Sequence, residues 1–212
     1  MCGRYSVLTE DEIVEIRSAL RDISLELVKD GLADYKARLG EILPTDMAPA
    51  IMKSGDGAAF ESAKFGFKKW DGAGVIINAR AETLQAKSMF SRLLDAGRCV
   101  VPAKEYYEWR ETAEARDGAG KKQKSNSKKA KHFIKDKEGN LLFFAGLYRT
   151  IGGEKEFVII TKNATGDVAE IHDRMPVILR AAQLEPWLNG TLSPDDIIKI
   201  DFNAEALPCG ET

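Results

Sequence analysis

Apolar positions recur with a helical period near the start of this chain and come in short, interrupted runs through its middle. In "TEDEIVEIRSAL", Ile13, Ile16 and Leu20 share one helical face, Thr9 precedes them as an N-cap, and Glu12 three residues on completes a capping box. A first helix is predicted there. From "LGEILPTDMAPAIMK" to "AAFESAKFGFKKW" the apolar runs are broken by Pro and Gly, which predicts brief strands and loops. "GVIINARAET" begins as a buried-type strand, Ser88 to Asp95 reads as a short helix stopped by Gly97, and "RCVVPAKEYYEW" reads as a strand. "HFIKDKEGNLLFFAGLYRT" predicts two strands around a Glu138-Gly139-Asn140 turn, with "KEFVIITKNA" a third in one antiparallel sheet. A short helix capped by Thr165, a strand at "RMPVIL" and short helices at "AAQLEPWL" and "SPDDIIKI" follow. Strands dominate and helices decorate them, so the fold class is α+β.

Composition narrows this picture. The 212 residues suffice for one domain with a real core, and 44% hydrophobic with 30% charged residues is ordinary for a globular protein. Residues 111 to 131, "ETAEARDGAGKKQKSNSKKAK", hold almost no large apolar groups and are expected to form a flexible lysine-rich loop. Three widely spaced cysteines, at 2, 99 and 209, argue against a disulfide framework and against zinc, so no metal or cofactor is expected and a reducing cytoplasm is the default location. No apolar run approaches a membrane span, and the polar start carries no hydrophobic leader stretch. The net charge of −2 means that any contact with nucleic acid must come from a local basic cleft.

A few residues carry candidate chemistry. Removal of Met1 would give Cys2 an α-amine and a thiol on adjacent carbons, a 1,2-aminothiol that attacks an aldehyde twice and closes a five-membered ring. There are two histidines. His132 ends the lysine-rich loop and reads as a solvated surface residue, whereas His172, where a short helix gives way to a strand beside Asp173 and Arg174, is either aimed into a cleft or a hydrogen-bonded structural residue. Alternation along "YYEW" puts Glu108 on the face opposite Tyr107 and Trp109, which is its solvent side or a costly buried carboxylate. Asn78 and Arg80 share one face of an extended "NARAE", Asn with a donor and an acceptor and Arg with a fork for phosphate, unless Arg80 simply pairs with Glu82. Trp70, beside Asp71 and Gly72, is a stacking platform for an unpaired base or part of the core.

Taken together, "MCGRY", "NARAET", "RCVVPAKEYYEWR" and "IHDRMPVIL" resemble, in order, the motifs of the SOS-response-associated peptidase family, the abasic-site-processing proteins. The likeness spans the whole chain, read as a single domain over residues 1–212. It implies a mostly antiparallel, bifurcated sheet curled into a pseudo-barrel with peripheral helices. It also implies a cysteine autopeptidase that frees Cys2, binds single-stranded DNA and traps the open-chain aldehyde of an abasic site as a thiazolidine. By resemblance Cys2 is the nucleophile, Asn78 positions its amine, Glu108 is the acid/base group, and His172 assists sugar opening and crosslink reversal. The DNA contacts implied are Arg4 and Arg80 on phosphates, Trp70 as a wedge, Thr161, Met175 and Pro176 lining the groove, and Pro44 and Thr45 in a nearby loop. The expected partner is single-stranded DNA with abasic sites, including fork or junction DNA, bound by a monomer without a membrane.

Two departures from the family pattern touch loop shape: Lys104-Glu105 stands where a glycine turn is usual, and "FGFKKW" stands where a tryptophan-glycine run is common. The same catalytic residues also fit a conventional peptidase or amidase acting in trans. A non-covalent single-stranded DNA-binding module, in which Cys2 is incidental, is the third reading.

Overall fold

Period-two alternation through the middle of the chain separates two cores on opposite faces of one set of strands. A computed structural model describes residues 2–6, 9–22, 27–30, 41–111 and 129–209. In chain order the elements are β1 (Tyr5–Ser6), α1 (Glu10–Asp22), β2 (Leu27–Asp30), β3 (Glu41–Ile42), β4 (Met47–Ser54), β5 (Gly57–Phe65), β6 (Phe67–Lys68), β7 (Val75–Ile76) and β8 (Asn78–Arg80). Then come α2 (Ser88–Ser91), α3 (Leu93–Ala96), β9 (Arg98–Ala103), β10 (Tyr106–Glu111), β11 (Lys129–Asp136), β12 (Leu142–Ile151) and β13 (Glu154–Asn163). The chain continues through α4 (Gly166–Ala169), β14 (Arg174–Pro176), β15 (Ile178–Leu179), α5 (Ala181–Leu188), α6 (Pro194–Ile198) and β16 (Ala204–Pro208).

Strands β13, β12, β9, β4 and β5 pair in that order, and a parallel pairing of β5 with β13 closes them into a ring. The fold is the α+β pseudo-barrel that the resemblance implies. Its sheet is bifurcated at β5, where β2 pairs at Ala58–Phe60 and β13 at Lys64 and Phe65. Phe65 and Phe157 face each other across the closing pair, with rings stacked at 5.2 Å. Along β9, Cys99 and Val101 join one core while Val100 joins the other, and along β13 Phe157 and Ile159 alternate with Val158 and Ile160 in the same way. The helices cover one face through Ile16, Phe90, Leu94, Leu184, Trp187 and Ile197. The other core takes in Cys2, Tyr5, Tyr106 and Ile134, which belong to or flank a second, antiparallel sheet of order β16-β11-β10-β1-β3.

The capping box of α1 is present: Thr9 N–H donates to Glu12 Oε2 at 2.7 Å and Glu12 N–H to Thr9 Oγ1 at 3.3 Å. Several expectations are corrected. Strands β11 and β12 are not a hairpin, because β11 pairs with β10 and β16 whereas β12 pairs with β9, β13 and β15. The Glu138-Gly139-Asn140 turn instead carries the chain from one sheet to the other, held by Asp136 Oδ2, which accepts from the backbone N–H groups of Glu138 and Asn140. The predicted helix from Ser88 to Asp95 is two short helices, and "RCVVPAKEYYEW" is two strands in different sheets. The join at Lys104-Glu105 needs no glycine, since neither residue has a positive φ; Lys104 Nζ pairs with Glu12 Oε1 at 3.0 Å and Glu105 accepts from the Tyr107 hydroxyl at 2.7 Å. Of the expected loop at 111 to 131, residues 129–131 belong to β11 and residues 112–128 lie outside the described residues.

Gly146 shows how tightly the ring is drawn. A Cβ there would stand 2.9 Å from both Cys99 Sγ and the Val158 carbonyl oxygen, and that carbonyl belongs to a paired backbone. Gly146→Ala is expected to destabilise the fold by about 1–3 kcal/mol, the usual cost of overpacking. The check is a lower urea midpoint with an unchanged slope.

Candidate functional site

The candidate site begins where β8 enters the sheet. Asn78 pairs in parallel register with Ile159, and its Nδ2 donates to Cys2 O at 3.0 Å and to Ile159 O at 3.4 Å. One amide thus ties residue 2 to the ring. Oδ1 of Asn78 is buried and has no hydrogen-bond partner among the described residues. Ala79 on the other face is buried and Arg80 is exposed, which is the alternation read from "NARAE".

Glu108 arrives from the other sheet. Strand β10 is fixed against the first residues by Tyr5 opposite Tyr106 and by Tyr107 N–H donating to Arg4 O at 2.9 Å. Two residues beyond Tyr106 on the same face, Glu108 is 3% exposed, so the solvent-side reading is overturned: Tyr107 and Trp109 are the half-exposed residues of this strand. Opposite Glu108 on β11 stands His132, which is also buried rather than solvated; its Nδ1 lies 3.1 Å from Ala130 O. Burial holds the Glu108 carboxyl above the usual carboxylate range, with the charge of His172 among the opposing influences. The Cys2 thiol, fully buried, is pushed up by burial first and by the charge of Glu108 second. Tyr106, whose hydroxyl is buried without a hydrogen-bond partner among the described residues, is raised well above the tyrosine range by burial and then by Cys2 and Glu108.

His172 follows α4, its N–H donating to Val168 O at 2.9 Å. Its Nδ1 accepts from the backbone N–H of Arg174 at 2.9 Å and lies 2.7 Å from Asp173 Oδ1. Arg174 then enters β14 with its guanidinium buried. Nη1 and Nη2 form a fork onto Glu82 Oε1 and Oε2 at 2.7 and 2.9 Å, Nη1 reaches Asn163 Oδ1 at 2.6 Å, and Nη2 reaches Thr161 O at 2.7 Å. That hydrogen-bonded fork pulls the Glu82 carboxyl below its ordinary range. Glu82 is therefore partnered by Arg174, not by Arg80 as a surface pair. The "RMPVIL" and "NARAET" motifs contain both residues, yet nothing in their spacing says that they meet, because the ion pair spans 92 positions.

The four catalytic candidates are thus linked by a bond from Asn78 to Cys2 and by the electrostatic influence of Glu108 on Cys2 and of His172 on Glu108. The expected DNA-contacting residues are more scattered. Trp70 is 96% exposed, in the turn between β6 and β7, which settles core against surface for that residue. Arg4 lies over the Trp109 ring at 5.0 Å with Nη1 bonded to Glu41 Oε2 at 3.0 Å. Thr45 is exposed at a φ of 79°, a conformation β-branched residues seldom adopt, beside half-buried Pro44. Thr161, Met175 and Pro176 are buried on β13 and β14, with Thr161 opposite Pro176. Among the described residues no group of three or more His, Cys, Asp or Glu is placed to hold a metal ion. A separate cavity of about 570 Å³, lined by Asp136, Asn140, Phe143, Ile178, Arg180 and Phe202 among others, contains none of the four candidates.

Residues 1–207 match the family model described as SOS response associated peptidase (SRAP). The chain is 31% identical over 221 residues to the abasic site processing protein YobE of Bacillus subtilis, covering 94% of this chain and 87% of that protein. It is 30% identical over 129 residues to the abasic site processing protein YedK of Escherichia coli, covering 59% of this chain and 52% of that one. A solved Bacteroides thetaiotaomicron protein has the same fold, with a TM-score of 0.73 at 23% identity over 98% of this chain and 91% of that one.

The raised carboxyl of Glu108 has a measurable consequence for stability. Below the unfolded-state pKa the group is protonated in both states and costs nothing; as pH rises through the higher folded-state value, the native state loses stability by burying the charge. Glu108→Gln is therefore expected to raise Tm at about pH 8 and to leave it nearly unchanged at about pH 4. Thermal melts across that range check the widening gap.

Proposed function

The chain belongs to the SOS response associated peptidase family, and we propose that it captures abasic sites in single-stranded DNA covalently through Cys2. The observation that carries this reading is the bond from Asn78 Nδ2 to the Cys2 carbonyl, with Asn78 Oδ1 left over in the same buried spot. Once Met1 is cleaved, Cys2 presents an α-amine, and Oδ1 accepts a hydrogen bond from it. The amide then grips residue 2 at both its carbonyl and its nitrogen.

The chemistry runs in balanced steps. The closed sugar of an abasic site opens to an aldehyde by moving a proton from its hydroxyl to its ring oxygen, a transfer suited to His172. The amine adds to the aldehyde carbon, and the carbinolamine loses water as Glu108 supplies a proton, giving an imine. The thiol then adds to the imine carbon and its proton passes to nitrogen, so aldehyde and aminothiol become a thiazolidine plus one water. A carboxyl raised by burial keeps its proton to higher pH than an ordinary carboxylate does, which favours the acid step of dehydration. Exposed Arg80 and Trp70, with Arg4, supply a phosphate fork and a stacking ring for the strand.

The same burial speaks against a peptidase acting in trans. Such enzymes hold a thiolate with a lowered pKa, whereas the Cys2 thiol is raised. A self-cleavage that needs to act once does not demand a standing thiolate.

Incubation with an oligonucleotide carrying one abasic site is expected to give a heat-stable band on a denaturing gel. Its mass should equal the protein without Met1 plus the oligonucleotide, less one water. Cys2→Ala abolishes it, and Glu108→Gln slows its formation by on the order of 100-fold. An undiminished band with Cys2→Ala, or none with verified Met-free protein, overturns the reading.

A further inference from the structure

His172 Nδ1 has two neighbours that make opposite demands on it. The Arg174 backbone N–H at 2.9 Å can only donate, so toward it Nδ1 must be bare. The Asp173 carboxylate at 2.7 Å can only accept, so toward it Nδ1 must carry a proton. A ring nitrogen has one in-plane position and serves one neighbour at a time. The neutral resting ring, accepting from Arg174, is thereby the Nε2–H tautomer; the protonated ring turns its Nδ1–H to Asp173.

We infer that Asp173 and Arg174 together direct the proton of His172, Arg174 setting the resting tautomer and Asp173 holding the charged, proton-donating form. This rests on the reading of His172 as the group that opens the abasic sugar. The imidazolium gives its Nε2 proton to the sugar ring oxygen and remains neutral, with Nδ1–H on Asp173 and a bare Nε2 aimed at the product. That bare nitrogen is the base that reversal requires. Return to the Arg174 bond resets the ring by loss of the Nδ1 proton and uptake of one at Nε2 from water.

The Arg174 N–H is a reliable partner because its own side chain is immobilised. The guanidinium is buried and anchored to Glu82, Asn163 and Thr161, so the backbone amide two residues after His172 has little freedom. Asp173 is the opposite case, with a side chain 83% exposed and free of packing constraints. Among the described residues, the charged groups near the ring include Asp173 and Arg174 on its own segment and Glu108 from β10; Glu82, after β8, is taken up by Arg174. Asp173 and Arg174 are positioning residues in this scheme, acting on the sugar only through the ring.

Two measurements test it. With imidazole nitrogens labelled, the chain has two histidines to resolve, and His132→Gln assigns them. The neutral protein is expected to show opposite tautomers, Nδ1–H for His132, whose Nδ1 faces the Ala130 carbonyl, and Nε2–H for His172. A neutral His172 bearing Nδ1–H overturns the inference without touching the crosslinking reading. Asp173→Asn, which removes charge and keeps shape, is expected to slow crosslinking about 3- to 5-fold, the size of a solvent-screened ion pair, and Asp173→Glu, which keeps the charge, to restore most of the rate. A wild-type rate with Asp173→Asn, or an equal deficit with Asp173→Glu, overturns the role of Asp173; absence of any wild-type crosslink overturns the reading on which it rests.

Discussion

The candidate site depends on how one strand, β13, divides its two hydrogen-bonding edges. Its first half is flanked by β12 and β5, which close the ring; its second half is flanked by β8 and β14. The handover is abrupt. Ile159 is the last residue opposite β12 and the first opposite β8, and Thr161 pairs with Arg80 on one edge and Pro176 on the other. Asn78 therefore rides one edge of β13 and the segment after His172 rides the other. Arg174 braces the two by reaching from β14 past the Thr161 carbonyl to Glu82, just beyond β8. A buried cation of this kind is costly to desolvate, and its two terminal nitrogens offset that cost on a carboxylate fork, a carbonyl and a side-chain amide, while Nε is buried without a partner among the described residues.

Against that rigid frame the second sheet contributes two of the candidate residues. Cys2 and Glu108 are brought together by β10 lying beside β1, and both are buried where neither ionises easily. The Glu108 charge raises the Cys2 thiol, so a carboxyl that has lost its proton makes the thiol proton harder to remove. In a protein built only for stability a glutamine in place of Glu108 would serve better. The carboxyl is retained in a position that costs stability above its own pKa, and strain of that sort is characteristic of a reacting group.

Local patterns in the chain were enough for the capping box of α1, most strand identities and the face that Asn78 and Arg80 share. Thr165 stands at the start of α4, but its hydroxyl donates to Met175 Sδ at 3.7 Å instead of capping the helix. Local patterns failed where partners are distant. "KDKEGNLL" has the residues of a hairpin turn, yet Asp136 uses that turn to pass the chain between sheets, so that Ile134 of β11 and Phe144 of β12 enter one core from different sheets. Glu108 was ambiguous because both faces of β10 carry aromatics: Tyr106 is buried while Tyr107 and Trp109 are half exposed, and period-two reading cannot tell which face is the core. His132 misled for the same reason, standing at the edge of a lysine run but opposite Glu108. Arg174 and Glu82 were invisible as a pair, since an ion pair between remote segments leaves no local period. The catalytic candidates themselves came from resemblance, and the distances that relate them came from the fold.

On the proposed reading, a buried and reluctant thiol at position 2 is an asset. A thiolate would be the stronger nucleophile but also the more readily oxidised, and its negative charge would attract the proton that the neighbouring amine must lose before it can attack. In a 1,2-aminothiol the amine strikes first and the sulfur has only to close a five-membered ring onto an imine carbon already held beside it. Proximity replaces ionisation. The proton that the thiol releases at that step has an acceptor in the imine nitrogen itself, so no free thiolate need be sustained. The raised thiol, the carboxyl raised by burial and the amide that fixes residue 2 are then one arrangement: proton donors kept in place until an aldehyde arrives to use them.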